Sequence, residues 1–185
     1  MFKKILIGLF AVVMVFVIVV ALQPSAFRIE RTETIAATPA AVFAQVNDFH
    51  KWQAWSPWTK LDPNAKVTFE GPEAGEGAVF RWAGNDEVGE GHMTITDSRP
   101  NERIVLDLEF IKPFPDTAKT EFTFKPQGDQ TAVTWAMSGE SGFFQRAICI
   151  FMNLDKMVGG DFEKGLASMK RIVEAERQQS VAEVE

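Results

Sequence analysis

The chain opens on a run, residues 5–22, in which all 18 positions are uncharged and Val, Ile, Leu and Phe dominate. As a helix it covers roughly 27 Å, close to the ~30 Å hydrocarbon core of a bilayer. Gln23-Pro24-Ser25 breaks the run, and loose alternation over residues 28–36 predicts a first strand. Thr38 as N-cap and Pro39 at the first helical position start a helix whose face carries Val42, Phe43 and Val46. Asn47-Asp48 ends it. Trp52 and Trp55, three apart, share one face of a second short helix. Pro57 places Trp58 just beyond it.

From Lys66 onward the pattern has period two. Strands are predicted at 66–70, 78–83 and 88–96. Three more run through Ile104, Leu106, Leu108 and Phe110; through Thr120, Phe122 and Phe124; and through Val133, Trp135 and Met137. A four-residue loop, Gly84-Asn85-Asp86-Glu87, sets Trp82 opposite Gly89, Phe80 opposite Gly91 and Arg81 opposite Glu90, with Met93 on the Phe80 and Trp82 face. Phe162, Leu166, Met169 and Val173 then form one helical stripe. Gly159-Gly160 is expected to divide that helix from the apolar stretch 143–158. The order is strand, two short helices, six strands and a long helix. It predicts an α+β fold in which a curved antiparallel sheet of about seven strands wraps on the C-terminal helix, since such a sheet needs cover on its apolar face. The expected organisation is a basic tail (1–4), an anchor (5–22), a linker (23–27), one domain (28–178) and a disordered polar tail (179–185).

Composition sharpens this outline. Lys3 and Lys4 ahead of the apolar run, with Val19-Val20-Ala21 as a cleavage site, are also features of a secretion signal. The run exceeds the ~7–15 residues of a signal core, so the reading adopted is an uncleaved single-pass anchor. The two lysines favour an inside N-terminus, which puts the domain on the extracytoplasmic side. Taking those two from the chain's 19 basic residues leaves 17 against 25 acidic, a net charge of −8 for the domain. Nucleic acid is therefore not an expected partner. Cys149, the only cysteine, excludes an intramolecular disulfide and a thiol-rich metal site. Among Ile148, Ile150 and Phe151 it reads as a small buried hydrophobe.

The chain has five Trp, 16 Phe and 7 Met but no Tyr. Trp52, Trp55 and Trp58 cluster within seven residues, and so much indole needs an apolar partner: a core, a pocket or a membrane. The candidate hydrophobic pocket comprises Trp52, Trp55, Trp58, Phe80, Trp82, Met93, Trp135, Met137, Phe162 and Leu166. Large aromatics beside flexible Met suit irregular apolar ligands. Trp55 and Trp82 are expected to be largely buried, and Trp52 or Trp58 more exposed. No catalytic residue stands out. His50 and His92 lack a partner at catalytic spacing, Asp107 and Glu109 share an outer strand face, and Arg81 and Glu90 read as an external ion pair. Gly89-Glu90-Gly91 lies inside a strand and is no phosphate loop. Asp155 and Asp161 have no third carboxylate, so neither a metal nor a cofactor is expected.

Several motifs together resemble the START-like (SRPBCC, helix-grip) superfamily, in its polyketide cyclase/dehydrase-type branch. They are Ala37-Thr38-Pro39 with Val42-Phe43, Asn47-Asp48-Phe49, Trp52 and Trp55-Ser56-Pro57-Trp58. Gly77, Trp82, Gly84-Asn85, Gly89-Glu90-Gly91, Pro100 with Glu102-Arg103, and the run from Gly160 to Leu166 follow. The resemblance covers residues 28–176. It implies the helix-grip fold and the binding of a hydrophobic small molecule, such as a lipid or isoprenoid, between sheet and C-terminal helix. It leaves two alternatives: an enzyme of cyclase, aromatase or dehydratase type, and a non-catalytic interaction module at the membrane. The anchor departs from soluble cyclases and disfavours a polyketide-tailoring role.

Overall fold

The computed structural model describes residues 2–182. Helix α1 (Phe2–Leu22) takes in both lysines of the basic tail and meets the length and composition of a membrane span, a description that a signal sequence also meets. Strand β1 (Ala26–Ile35) begins within the expected linker. Helices α2 (Pro39–Asn47) and α3 (Phe49–Trp55) and a 3₁₀ turn (Trp58–Lys60) follow. Thr38 caps α2 by accepting from the Ala41 amide at 3.4 Å, and Asp48 caps α3 by accepting from the His50 amide at 2.9 Å.

Strands β2 (Lys66–Glu70), β3 (Val79–Ala83), β4 (Glu90–Arg99), β5 (Arg103–Lys112), β6 (Asp116–Gln127) and β7 (Gln130–Glu140) complete an antiparallel sheet of seven strands, ordered β1-β7-β6-β5-β4-β3-β2. The chain ends in the short α4 (Phe143–Cys149) and the long α5 (Leu154–Ala182). This is the expected α+β helix-grip architecture. All four residues of the predicted α5 stripe, Phe162, Leu166, Met169 and Val173, are buried against the sheet.

Three expectations need correction. Gly159-Gly160 does not divide the last helix: α5 starts at Leu154 and runs through both residues. A Cβ at Gly159 would collide with the Arg31 guanidinium, so the glycine is there for space. Arg31, inward-facing on β1, uses that space to donate to Glu163 at 2.7 Å and Asp155 at 3.0 Å. The β3–β4 register is shifted by two residues, with Trp82 opposite Gly91, Phe80 opposite Met93 and Arg81 opposite His92. The loop is longer than four residues because the Asn85 side chain accepts from the Glu87 and Val88 amides, and the Gly84 amide bonds Gly89 O at 2.8 Å. An even shift keeps each side chain on its face. It separates Arg81 from Glu90, however: Arg81 pairs with Glu70 at 2.9 Å and Glu90 with Lys112 at 2.6 Å. Finally, the tail expected over 179–185 is helical as far as Ala182, and residues 183–185 lie outside the described part.

A concave groove with a sealed half and an open half

Pairing across the sheet sorts the concave face into layers. β1 starts, β7 ends and the β3–β4 and β5–β6 turns lie at one end of the sheet, where α1 joins; it is called the anchor end after the anchor expected at 5–22. From that end, Trp82, Gly91 and Phe110 form the first layer. Phe80, Met93, Leu108, Ala118 and Gly139 form the second, and Ile95, Leu106, Thr120 and Met137 the third. Ile104, Phe122 and Trp135 form the fourth. The indole of Trp82 covers Gly91, where a Cβ would strike its ring.

The far half of this groove is plugged. Trp135 stacks on Phe162 of α5 at 4.2 Å with the rings 10° apart, and on Phe122 at 4.8 Å. Trp55 meets Trp135 edge-on at 5.6 Å and Trp52 at 4.6 Å. Two hydrogen bonds hold α3 over them: Trp52 Nε1 donates to Val46 O at 2.9 Å and Trp55 Nε1 to Gln45 O at 3.1 Å. Both acceptors lie near the end of α2, so the indoles also fix the angle between the two helices. Trp135 Nε1 is buried and has no hydrogen-bond partner among the described residues.

The ten pocket candidates therefore divide. Trp52, Trp55, Trp135, Phe162 and Leu166 are buried and form the plug. Phe80, Trp82, Met93 and Met137 are half-buried and line the groove toward the anchor end, while Trp58, also half-buried, edges the plug against Trp135 and Phe162. Trp55 is buried and Trp58 is the more exposed member of its cluster, as expected, but Trp82 is only half-buried, its Nε1 donating to Val88 O at 3.1 Å. Sequence reasoning passed over Leu108, Ala118 and Thr120 as groove floor. Their signal was there: in β5 and β6 they occupy the same inward alternation as Phe122.

The candidate acid–base groups lie elsewhere. His92, Asp107 and Glu109 sit on the convex face, where Asp107 pairs with Lys119 at 2.6 Å and His92 approaches Glu109 at 3.6 Å. None of them reaches the groove. His50 stacks on Phe69 at 4.0 Å and holds Asp48 at 2.9 Å. Cys149 is half-buried rather than buried, because Ile148 and Phe151 beside it are exposed. An open cleft of about 320 Å³ lies away from the groove, between Ala37, Ala41, Val173 and Arg177, and Arg177 donates there to Ala36 O at 2.7 Å. Among the described residues no cluster of His, Cys, Asp and Glu could hold a metal ion.

Comparison with known proteins agrees with this geometry. The family model described as polyketide cyclase / dehydrase and lipid transport matches residues 26–174. A Thermobifida fusca protein solved by solution NMR has a TM-score of 0.60 at 21% identity, covering 79% of this chain and 92% of its own. Protein Ms6760 from Mycobacterium smegmatis gives 0.56 at 16% identity, covering 80% and 91%. Protein CV1439 from Chromobacterium violaceum gives 0.55 at 16%, covering 82% and 99%. At these identities the structures share the fold. No curated protein matches the sequence.

Proposed function

The chain belongs to the polyketide cyclase / dehydrase and lipid transport family, and from that membership we propose that it is a membrane-tethered domain that binds a hydrophobic small molecule, of lipid or isoprenoid character. The site is the anchor-side half of the groove between the sheet and α5, and α1 is the tether. One observation carries this reading: burial along the concave face is graded. The far half is a closed aromatic plug. The anchor-side half leaves Phe80, Trp82, Met93 and Met137 partly uncovered over small residues such as Ala118 and Gly139. Apolar walls with flexible Met side chains fit an irregular hydrocarbon.

Tethering is supported by how the domain holds the end of α1. Val20 is completely buried, and Arg146 donates to Ala21 O at 3.4 Å and Gln23 O at 3.0 Å. Those carbonyls end a helix and need partners. The test is native mass spectrometry of the detergent-purified full chain. The wild type is expected to carry lipid adducts, and Met93→Trp, which fills the second layer, is expected to lose them. Adducts that survive Met93→Trp, or a wild type that carries none, would remove the groove as the site.

A further inference from the structure

A second apolar surface lies outside the groove. Phe114 in the β5–β6 turn is 63% exposed, Phe144 in α4 65% and Phe151 just after α4 79%. Phe143 and Met152 beside them are also exposed. The Phe114 and Phe144 rings lie 6.2 Å apart, so turn and helix contribute to one patch. A contiguous group of exposed phenyl rings marks a contact surface rather than scattered surface apolarity.

Its position identifies what it touches. Phe151 stacks on Phe16 of α1 with ring centroids 6.2 Å apart. Phe16 precedes Leu22 by six residues, roughly 9 Å along a helix axis. The 18 uncharged residues 5–22 cover roughly 27 Å, close to a hydrocarbon core of about 30 Å. A ring that touches Phe16 therefore sits below the hydrocarbon boundary whenever α1 spans.

We infer that α4, its Phe151-Met152 extension and the β5–β6 turn form a second, monotopic membrane contact, inserted into the acyl and headgroup boundary beside the end of α1. The inference rests on the spanning α1 of the proposed function. The ~9 Å depth of Phe16 falls within the roughly 5–10 Å to which interfacial helices bury their apolar face. Two fixed points, the span and this patch, orient the domain with the anchor end of its sheet toward the bilayer. The half-buried part of the groove then lies nearest the lipid.

The test places an environment-sensitive nitrobenzoxadiazole reporter on single cysteines in the full chain, in a Cys149→Ser background, in phosphatidylcholine nanodiscs. Phe144→Cys and Met152→Cys report the patch, Met14→Cys the span, and Asp129→Cys the opposite end of the sheet. The patch reporters are expected to lose roughly half their intensity to lipid carrying a nitroxide near the headgroup, and little to iodide, while Asp129→Cys behaves in reverse. If Met14→Cys is lipid-quenched but both patch reporters respond to iodide alone, the second contact is overturned and the span stands. That outcome is the one a protein-facing surface gives. If Met14→Cys also reads water, the spanning anchor fails and this contact fails with it.

Discussion

In the far half of the groove Trp55 and Trp135 are 1% and 2% exposed, whereas at the anchor end Phe144 and Phe151 stand mostly in the open. The side chains are of one kind, so the difference comes from what closes over them. Three elements converge on Trp135: α3 through Trp52 and Trp55, the 3₁₀ turn through Trp58, and α5 through Phe162. At the anchor end the short α4 covers the edge, and its exposed rings meet Phe114 of the β5–β6 turn and, just past the helix, Phe16 of α1. Aromatic density therefore marks two different things in one chain. Where helices converge it is core, and where the short α4 stands beside α1 it is exposed surface.

Truncation at each end is the strongest way to break that comparison. Trp135→Ala is expected to cost about 3–5 kcal/mol, the usual price of removing a large buried aromatic ring. Phe144→Ala should stay within about 0.5 kcal/mol in detergent, as an exposed substitution does. Chemical denaturation of the full chain in mild detergent measures both. Equal losses would show that the two ends are packed alike.

A finer version stays within α5. Gly165 and Gly160 lie on one helix, so changing either to Ala gains similar helix propensity, up to about 1 kcal/mol. A Cβ at Gly165 would meet the Trp135 ring and Pro57, while one at Gly160 would meet nothing. Overpacking costs about 1–3 kcal/mol, so Gly165→Ala should be net destabilising by roughly 1 kcal/mol and Gly160→Ala stabilising. Thermal unfolding of the two variants compares them directly. A stabilised Gly165→Ala would mean the plug is looser than its ring distances imply.

Much of this was legible in the sequence. Period-two alternation gave every strand from β2 to β7, because half-buried antiparallel strands must alternate. The stripe of Phe162, Leu166, Met169 and Val173 gave the contact face of α5. The Thr-Pro start gave α2. What local pattern does not contain is the partner across space. The Gly159-Gly160 pair reads as a break until Arg31, more than a hundred residues earlier, is seen to need that gap. The β3–β4 register depended on side-chain bonds from Asn85 that no alternation encodes. The pocket candidates were chosen by residue type, which cannot tell Trp55 under two helices from Trp58 at their edge. The patch on α4 was read as one more apolar stretch, since its exposure depends on where α1 lies.

The smallest effect concerns how the start of α5 is fastened beside the plug. The Arg31 guanidinium, chiefly through its hydrogen bond and then through its charge, holds the Asp155 carboxyl below the usual carboxylate range. Asp155 lies in the first turn of α5, so the pair ties that turn to β1 at Arg31, which sits opposite Trp135 in the fourth layer. Because the folded-state value is lowered, the stabilisation is complete above the unfolded value of about 3.9 and is lost as pH falls through the folded one. No change is expected between neutral pH and about pH 5. Below about pH 4 the first turns of α5 should lose amide protection before the plug does. Asp155 is exposed, so the loss is local and the shift in Tm slight. Hydrogen exchange on the wild type and on Asp155→Asn separates the cause from general acid loosening. The variant should show at about pH 5 the weakened α5 start that the wild type shows only below about pH 4. Identical pH profiles for the two proteins would remove Asp155 as the fastening of the α5 start to β1.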